Sequence, residues 1–252
     1  MKYFFKKNFV ALIIAGVVFI LSLVAPWMRD SVYETDTMSF SSYDIQVQIE
    51  EDGDIFIEET IVGSFNPGMS VIFRDIKYGK NDNNQPGNSS GFDYDSVHVR
   101  ISNPSRGLLY DSELSIANFG TEVGYSWLND RDEEGALVRC PSGYGSDCVS
   151  IFTYVPSGIA PTTTYQFSYR IQGAVSTYAD IAELNWAFYD TVESFKIENV
   201  TVTIRYPDTV SDIEDIYFFG HGAKAGQLDS ITTQSVTFSY PKLYRYDVIE
   251  MR

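Results

Sequence analysis

The chain of 252 residues reads as an all-β protein: an antiparallel β-sandwich domain preceded by one N-terminal apolar helix. Three observations carry this reading. From Tyr43 onward the apolar residues recur with a period of two. Asn, Asp, Gly and Pro crowd the gaps between those runs. Beyond the head, no ten-residue stretch holds the 3.6-residue stripe of an amphipathic helix.

The head comes first. Lys2, Lys6 and Lys7 precede an uncharged apolar run from Phe9 to Ala25, the layout of an export signal. Those 17 residues would rise about 26 Å as a helix, and extension to Met28 reaches the roughly 30 Å of a hydrocarbon core. Residues 1–28 are therefore read as a signal anchor or signal peptide. Pro26 directly after Val24-Ala25 is unfavourable at a cleavage junction and argues for the uncleaved anchor. Asp30, Glu34 and Asp36 follow the run, opposed by Arg29. The positive-inside rule then predicts a chain in the cell membrane, its N-terminus in the cytoplasm and its body on the extracytoplasmic side.

Residues 29–42 read as a linker. The body is read over residues 43–242, as one large sandwich or two small ones packed together. Without the three lysines of the head, 15 basic residues face 34 acidic ones, a balance of −19. Such a field repels nucleic acid and anionic headgroups, and it suits solubility, divalent cations or a basic partner.

Tyr43, Ile45, Val47 and Ile49 alternate with Asp44, Gln46, Gln48 and Glu50, which predicts a half-buried strand. Asp52-Gly53 supplies a hairpin turn, and Ile55, Ile57 and Ile61 continue the pattern in a return strand. Further strands are expected at Val71–Ile76, Phe92–Ile101, Cys148–Tyr154, Thr164–Ile171, Lys196–Tyr206, Ile213–Phe219 and Ser230–Ser239. One short helical turn is expected within Ala179–Ala187. With no βαβ alternation, such a series argues an antiparallel sandwich.

Residues suited to catalysis are sparse. His98 alternates with Val97 and Val99 and is expected on a solvent face, and His221 stands in the Gly-rich turn Phe-Phe-Gly-His-Gly. A Ser-His-Asp arrangement has few ways to form. Asp180, Glu183 and Asp190 flank Trp186, an aromatic that could stack on a sugar between two carboxyls, or a core tryptophan beside surface charge. Asp82 to Asp93 imitates a calcium loop, but Pro86 stands where a side-chain oxygen is needed. No cofactor is implied.

Glu59 is the most informative residue. It shares parity with Ile55, Ile57 and Ile61, so it should point into the core, where a carboxylate must be paired or protonated. Arg74, in the apolar run Ile72-Phe73-Arg74-Asp75-Ile76, is the expected partner of a structural bridge.

These segments resemble the N-terminal domain of the YciQ-like predicted membrane proteins, the domain of unknown function numbered 2207. The blocks that carry the resemblance run from Tyr43 to Phe65, through Phe73-Arg74-Asp75-Ile76, and from Tyr178 to Pro207, where Glu183, Leu184, Trp186 and Pro207 fall at the family's positions. The resemblance implies an export signal, an extracytoplasmic β-rich domain and further membrane helices. Residues 243–252 are then a tail leading toward a membrane segment that this chain does not include. It implies no activity. The functions in view are a non-enzymatic binding, sensing or scaffolding module with an envelope protein or polysaccharide as partner, a carbohydrate-active enzyme using carboxylates near Trp186, and a calcium-stabilised adhesive domain.

Cys140 and Cys148 bracket the loop Pro-Ser-Gly-Tyr-Gly-Ser-Asp, and in an exported chain this spacing predicts a disulfide. Closing so short a loop should contribute about 2–3 kcal/mol. Mass spectrometry of unreduced, alkylated protein should find the two peptides joined; two alkylated cysteines in freshly exported protein rule the bridge out.

Overall fold

The computed structural model describes residues 38–65, 71–78, 89, 91–114, 119–120, 135–139, 147–154, 162–190, 196–207, 210–223, 225–244 and 247–252. All of them belong to one compact unit, Thr37–Arg252. The apolar run Phe9–Ala25, Cys140 and most of the calcium-like loop lie outside the described residues. Among the described residues no α-helix forms, and no helix is long and apolar enough to cross a membrane.

The strands begin with β1 (Met38–Ile49), β2 (Ile55–Phe65), β3 (Val71–Lys77), β4 (Gly91–Asn103) and β5 (Gly107–Leu114). Next come β6 (Phe119–Gly120), β7 (Gly135–Arg139), β8 (Cys148–Tyr154), β9 (Thr162–Gln172) and β10 (Val175–Thr177). Then follow β11 (Ala182–Leu184), β12 (Trp186–Asp190), β13 (Lys196–Arg205) and β14 (Gly220–Gly222). The last are β15 (Gln227–Ile231), β16 (Ser235–Leu243) and β17 (Val248–Met251). Eight strands make one large sheet in the order β15-β16-β13-β1-β2-β9-β4-β5. Smaller sheets run β3-β8-β7-β6 and β12-β17-β14, and β10 pairs with β11.

The β1–β2 hairpin forms where the turn chemistry asks for it. Gly53 takes φ +88°, and the Asp52 carboxylate accepts the Asp54 N–H at 3.1 Å. In register, Ile49 faces Ile55 and Ile45 faces Glu59. Tyr43, Ile45, Val47, Ile55 and Ile57 are buried, as are Tyr165, Phe167, Tyr169 and Ile171 on β9, while their alternates are partly or wholly exposed. One face of the large sheet is thus core and the other meets solvent. Each such buried aliphatic or aromatic side chain contributes about 1.5–3 kcal/mol.

The smaller sheets meet the apolar face. Tyr43 packs edge-on against Tyr189 of β12 with centroids 6.1 Å apart, and Tyr78, next after β3, lies 5.5 Å from Phe92 of β4.

Several elements depart from the expectation. The large sheet is not wholly antiparallel, because β1 runs parallel to β13, from Ser39 opposite Lys196 to Gln48 opposite Arg205. Parallel neighbours need a long crossover, and the chain from β2 to β12 supplies it. Ile213–Phe219 is no strand: Asp212 caps a 3₁₀ turn at Ile213–Asp215 by accepting the Glu214 N–H at 3.0 Å. The run Ser230–Ser239 folds back on itself, because Thr232 Oγ1 accepts the N–H groups of Gln234 and Ser235 at 3.2 and 3.0 Å.

Ala179–Ala187 contains no helical turn. It carries β11 and the start of β12, whose alternation buries Trp186 and Phe188. The stretch read as a tail holds β17, the middle strand of its sheet, with Ile249 and Met251 buried. The stretch read as a linker likewise contributes Met38–Ser42 to β1.

Candidate functional site: a buried ion pair and its tyrosines

Glu59 lies in the middle of β2, between Ile45 of β1 and Phe167 of β9. Its side chain is 1% exposed. Tyr43 and Tyr169 each stand two residues from a direct cross-strand partner, the diagonal positions that long side chains reach. The Tyr43 hydroxyl donates to Glu59 Oε2 at 2.5 Å, and the Tyr169 hydroxyl donates to Oε1. From the facing sheet Arg74 donates through Nε to Oε2 at 2.7 Å and through Nη2 to Oε1 at 3.0 Å. The guanidinium fork therefore grips both carboxylate oxygens.

Arg74 reaches further. Its Nη2 also donates to the Phe188 carbonyl on β12 at 3.1 Å, and Nη1 donates to the carbonyl of Asp75. The adjacent Asp75 carboxylate accepts the Ser150 hydroxyl of β8. One side chain on β3 thus ties the large sheet to both smaller ones.

Burial alone would lower the pKa of the Arg74 guanidinium, but Glu59, with Tyr43 and Tyr169 behind it, holds it well above the ordinary arginine range. Burial pushes the Tyr43 hydroxyl well up; Arg74 opposes this, and Glu59 adds to it. Tyr169 rises for the same reasons, burial first and Glu59 second. A carboxylate that accepts four hydrogen bonds in a closed core has no lone pair turned toward a substrate. The cluster suits holding sheets together rather than proton transfer.

The other residues singled out by sequence lie apart from it. Trp186 is 3% exposed, so it presents no face on which a sugar could stack, and the proposed glycosidase subsite loses its platform. Glu183 is bound by Arg252, Nε to Oε1 at 2.6 Å. Asp180 is exposed in the turn before β11, and Asp190 ends β12 opposite Val248. His221 is exposed on β14 opposite Glu250. His98 stands on the solvent side of β4, its Nε2 2.6 Å from Asp111. Cys148 is buried at the start of β8, and no free thiol occurs among the described residues.

Glu50, Asp52 and Asp54, at the β1–β2 turn, bring carboxylate oxygens within 4.8 Å of one another, the spacing a cation would use. That group already has donors. Arg170 binds Glu50 and lies 3.9 Å from Asp54, while Asp54 accepts the Gly173 N–H at 2.8 Å. Asp52-Gly53 is legible in the sequence as turn chemistry, whereas the Arg170 contact is not, because that pairing depends on the β2–β9 register.

The model of the predicted membrane protein (DUF2207) N-terminal domain matches residues 39–252. The chain belongs to this family. The match begins in β1 and includes β17, so the family's N-terminal domain takes in both ends of the described unit. No curated protein matches the sequence. Among solved structures, yeast LTA4 hydrolase in complex with bestatin aligns over 86% of this chain and 29% of its own, with TM-score 0.45 and 10% identity. An M1 zinc metallopeptidase from Deinococcus radiodurans aligns over 85% of this chain and 42% of its own, with TM-score 0.34 and 8% identity. The chain thus spans less than half the length of either.

Removing one partner of the ion pair should strand the other charge and cost about 3–5 kcal/mol, whereas replacing both with apolar residues should cost much less. Urea midpoints of the parent, Glu59→Gln, Arg74→Met and the double variant Glu59→Leu/Arg74→Met check this. Negligible shifts in both single variants would show that the pair contributes nothing.

The tyrosines set an alkaline limit. Burial pushes Tyr206 and Tyr240 up to about 12, and Tyr43 and Tyr169 are also raised. An unfolded tyrosine titrates near about 10. Between the two values the unfolded chain binds fewer protons than the folded one, so stability falls as pH rises. The contribution is full below about pH 10 and declines from there through about 12. Urea midpoints measured across this range should fall, and Tyr206→Phe and Tyr240→Phe should each flatten the decline; a pH-independent midpoint contradicts it.

Proposed function

We propose that the domain is a non-enzymatic binding, sensing or scaffolding module of the cell envelope, held in the membrane by residues 1–28 with its body on the extracytoplasmic side. The observation that carries the proposal is the burial of Trp186 together with the pairing of Glu183 to Arg252. The residues best suited to sugar chemistry serve as packing and as a surface ion pair. Exposed Tyr178 and Ile181 in the turn between β10 and β11, and Phe219 and Leu228 near β14 and β15, offer contact surface instead. The charge asymmetry around Phe9–Ala25 supports the membrane placement, and the family's description as predicted membrane proteins agrees with it.

Protease added to intact cells should digest the body, and protection until lysis would overturn the topology. In a deletion strain, a chain carrying Asp180→Asn, Glu183→Gln and Asp190→Asn together should restore function fully. Loss of function at an unchanged unfolding midpoint would assign the carboxylates a chemical role and end the non-enzymatic reading.

A further inference from the structure

The apolar face of the large sheet does not stop where its cover stops. Leu228 of β15 stands directly opposite Phe238 of β16, so both side chains lie on the same face. Phe238 is 2% exposed and packs against Phe218 with centroids 5.3 Å apart, whereas Leu228 is 55% exposed. Between them opens a groove of about 360 Å³, lined by Leu228, Phe238, Tyr240 and Phe218 and, across from them, by Gly220–Gly222 of β14. The rim carries Phe219, 57% exposed.

Two strand edges flank this groove. β15 is the outermost strand of the large sheet, and β14 is the outermost strand of its own. All three β14 residues are exposed, and two of them are glycines that leave the backbone uncovered. A strand edge that no described strand pairs, beside a half-covered apolar row, is the arrangement to which an extended segment adds itself as a further strand.

Charge decides what such a segment carries. Asp229 lies on β15, and Glu250 of β17 faces His221 of β14. Asp212, Glu214 and Asp215 are exposed in the turn that leads to Phe218. The bases among the described residues of this region are Lys242, over the Tyr244 ring, and Arg252, on Glu183, while Lys224 and Arg245 lie outside the described residues. Among the described residues, acids therefore outnumber bases around the groove. A second copy of this acidic chain would bring like charge to the edge.

We infer that the β15 edge and its groove bind an extended polypeptide segment that alternates apolar and basic residues. The segment extends the large sheet by one strand, places its apolar side chains beside Leu228 over the uncovered face, and turns its basic ones to the opposite face, where Asp229 accepts the Ser239 hydroxyl. This inference rests on the reading of the domain as a binding module and names the class of partner that module takes.

The test uses the full chain in lipid nanodiscs and a synthetic peptide alternating lysine and valine, about nine residues long, the length of an ordinary strand. Two further peptides control for charge and for the backbone: alternating glutamate and valine, and the lysine–valine peptide N-methylated at every residue, which has no N–H to donate along a ladder. The lysine–valine peptide should bind and slow amide exchange at Gln227–Ile231, and the two controls should not. Leu228→Lys, at an exposed position, should leave the unfolding midpoint unchanged and weaken binding at least about tenfold. Equal binding by the N-methylated peptide, unchanged affinity in Leu228→Lys, or protection at Gly107–Leu114 in place of β15 overturns the assignment while leaving the binding-module reading intact. Failure of the lysine–valine peptide to bind also overturns it. The module reading itself stands or falls on the carboxylate variants in the deletion strain.

Discussion

The packing of the domain depends on one buried ion pair. Glu59 is carried inward by strand parity, on a strand whose neighbours on both sides are core strands. A carboxylate there is costly unless every lone pair is met. Arg74 meets two of them from the facing sheet, and Tyr43 and Tyr169 meet the rest from the flanking strands. Because Arg74 also holds the Phe188 carbonyl, the pair constrains how three sheets lie against each other. Apolar contacts alone would hold those sheets together with far less directional preference.

Stabilisation of this kind separates architecture from function. The closed cluster uses the groups that a buried active site would need, and it uses them fully. Among the described residues, exposed apolar side chains stand at the margins, among them Tyr178 and Ile181 in a hairpin turn and Leu228 beside its groove. Both lie where the strands are short.

The long strands were legible because their side chains alternate strictly between two environments. β1, β2, β4, β9 and β13 follow directly from period-two patterns, and Asp52-Gly53 marks the first turn. The short strands were not. β14 is Gly-His-Gly, and β11 and β12 hide within a stretch whose composition also suits a helical turn. Such elements exist because β17 or β10 pairs with them, and pairing between distant segments leaves no local trace. For the same reason the chain after β16 looked like a tail, although β17 fills the centre of a sheet.

By itself the sequence determined that Glu59 points inward, that the N-terminal run is apolar with an asymmetric charge, and that the body is acidic and β-rich, since each depends on residue type and local spacing. Only the tertiary structure decided that β1 joins β13 in parallel, that the two tyrosines complete the carboxylate's shell, that Trp186 is sealed in the core, and that Leu228 is left uncovered. Each of these is a relation between segments far apart in the chain. Such relations are set by register and by the order of strands in a sheet, and hydrophobic periodicity along one strand is blind to which neighbour that strand will meet.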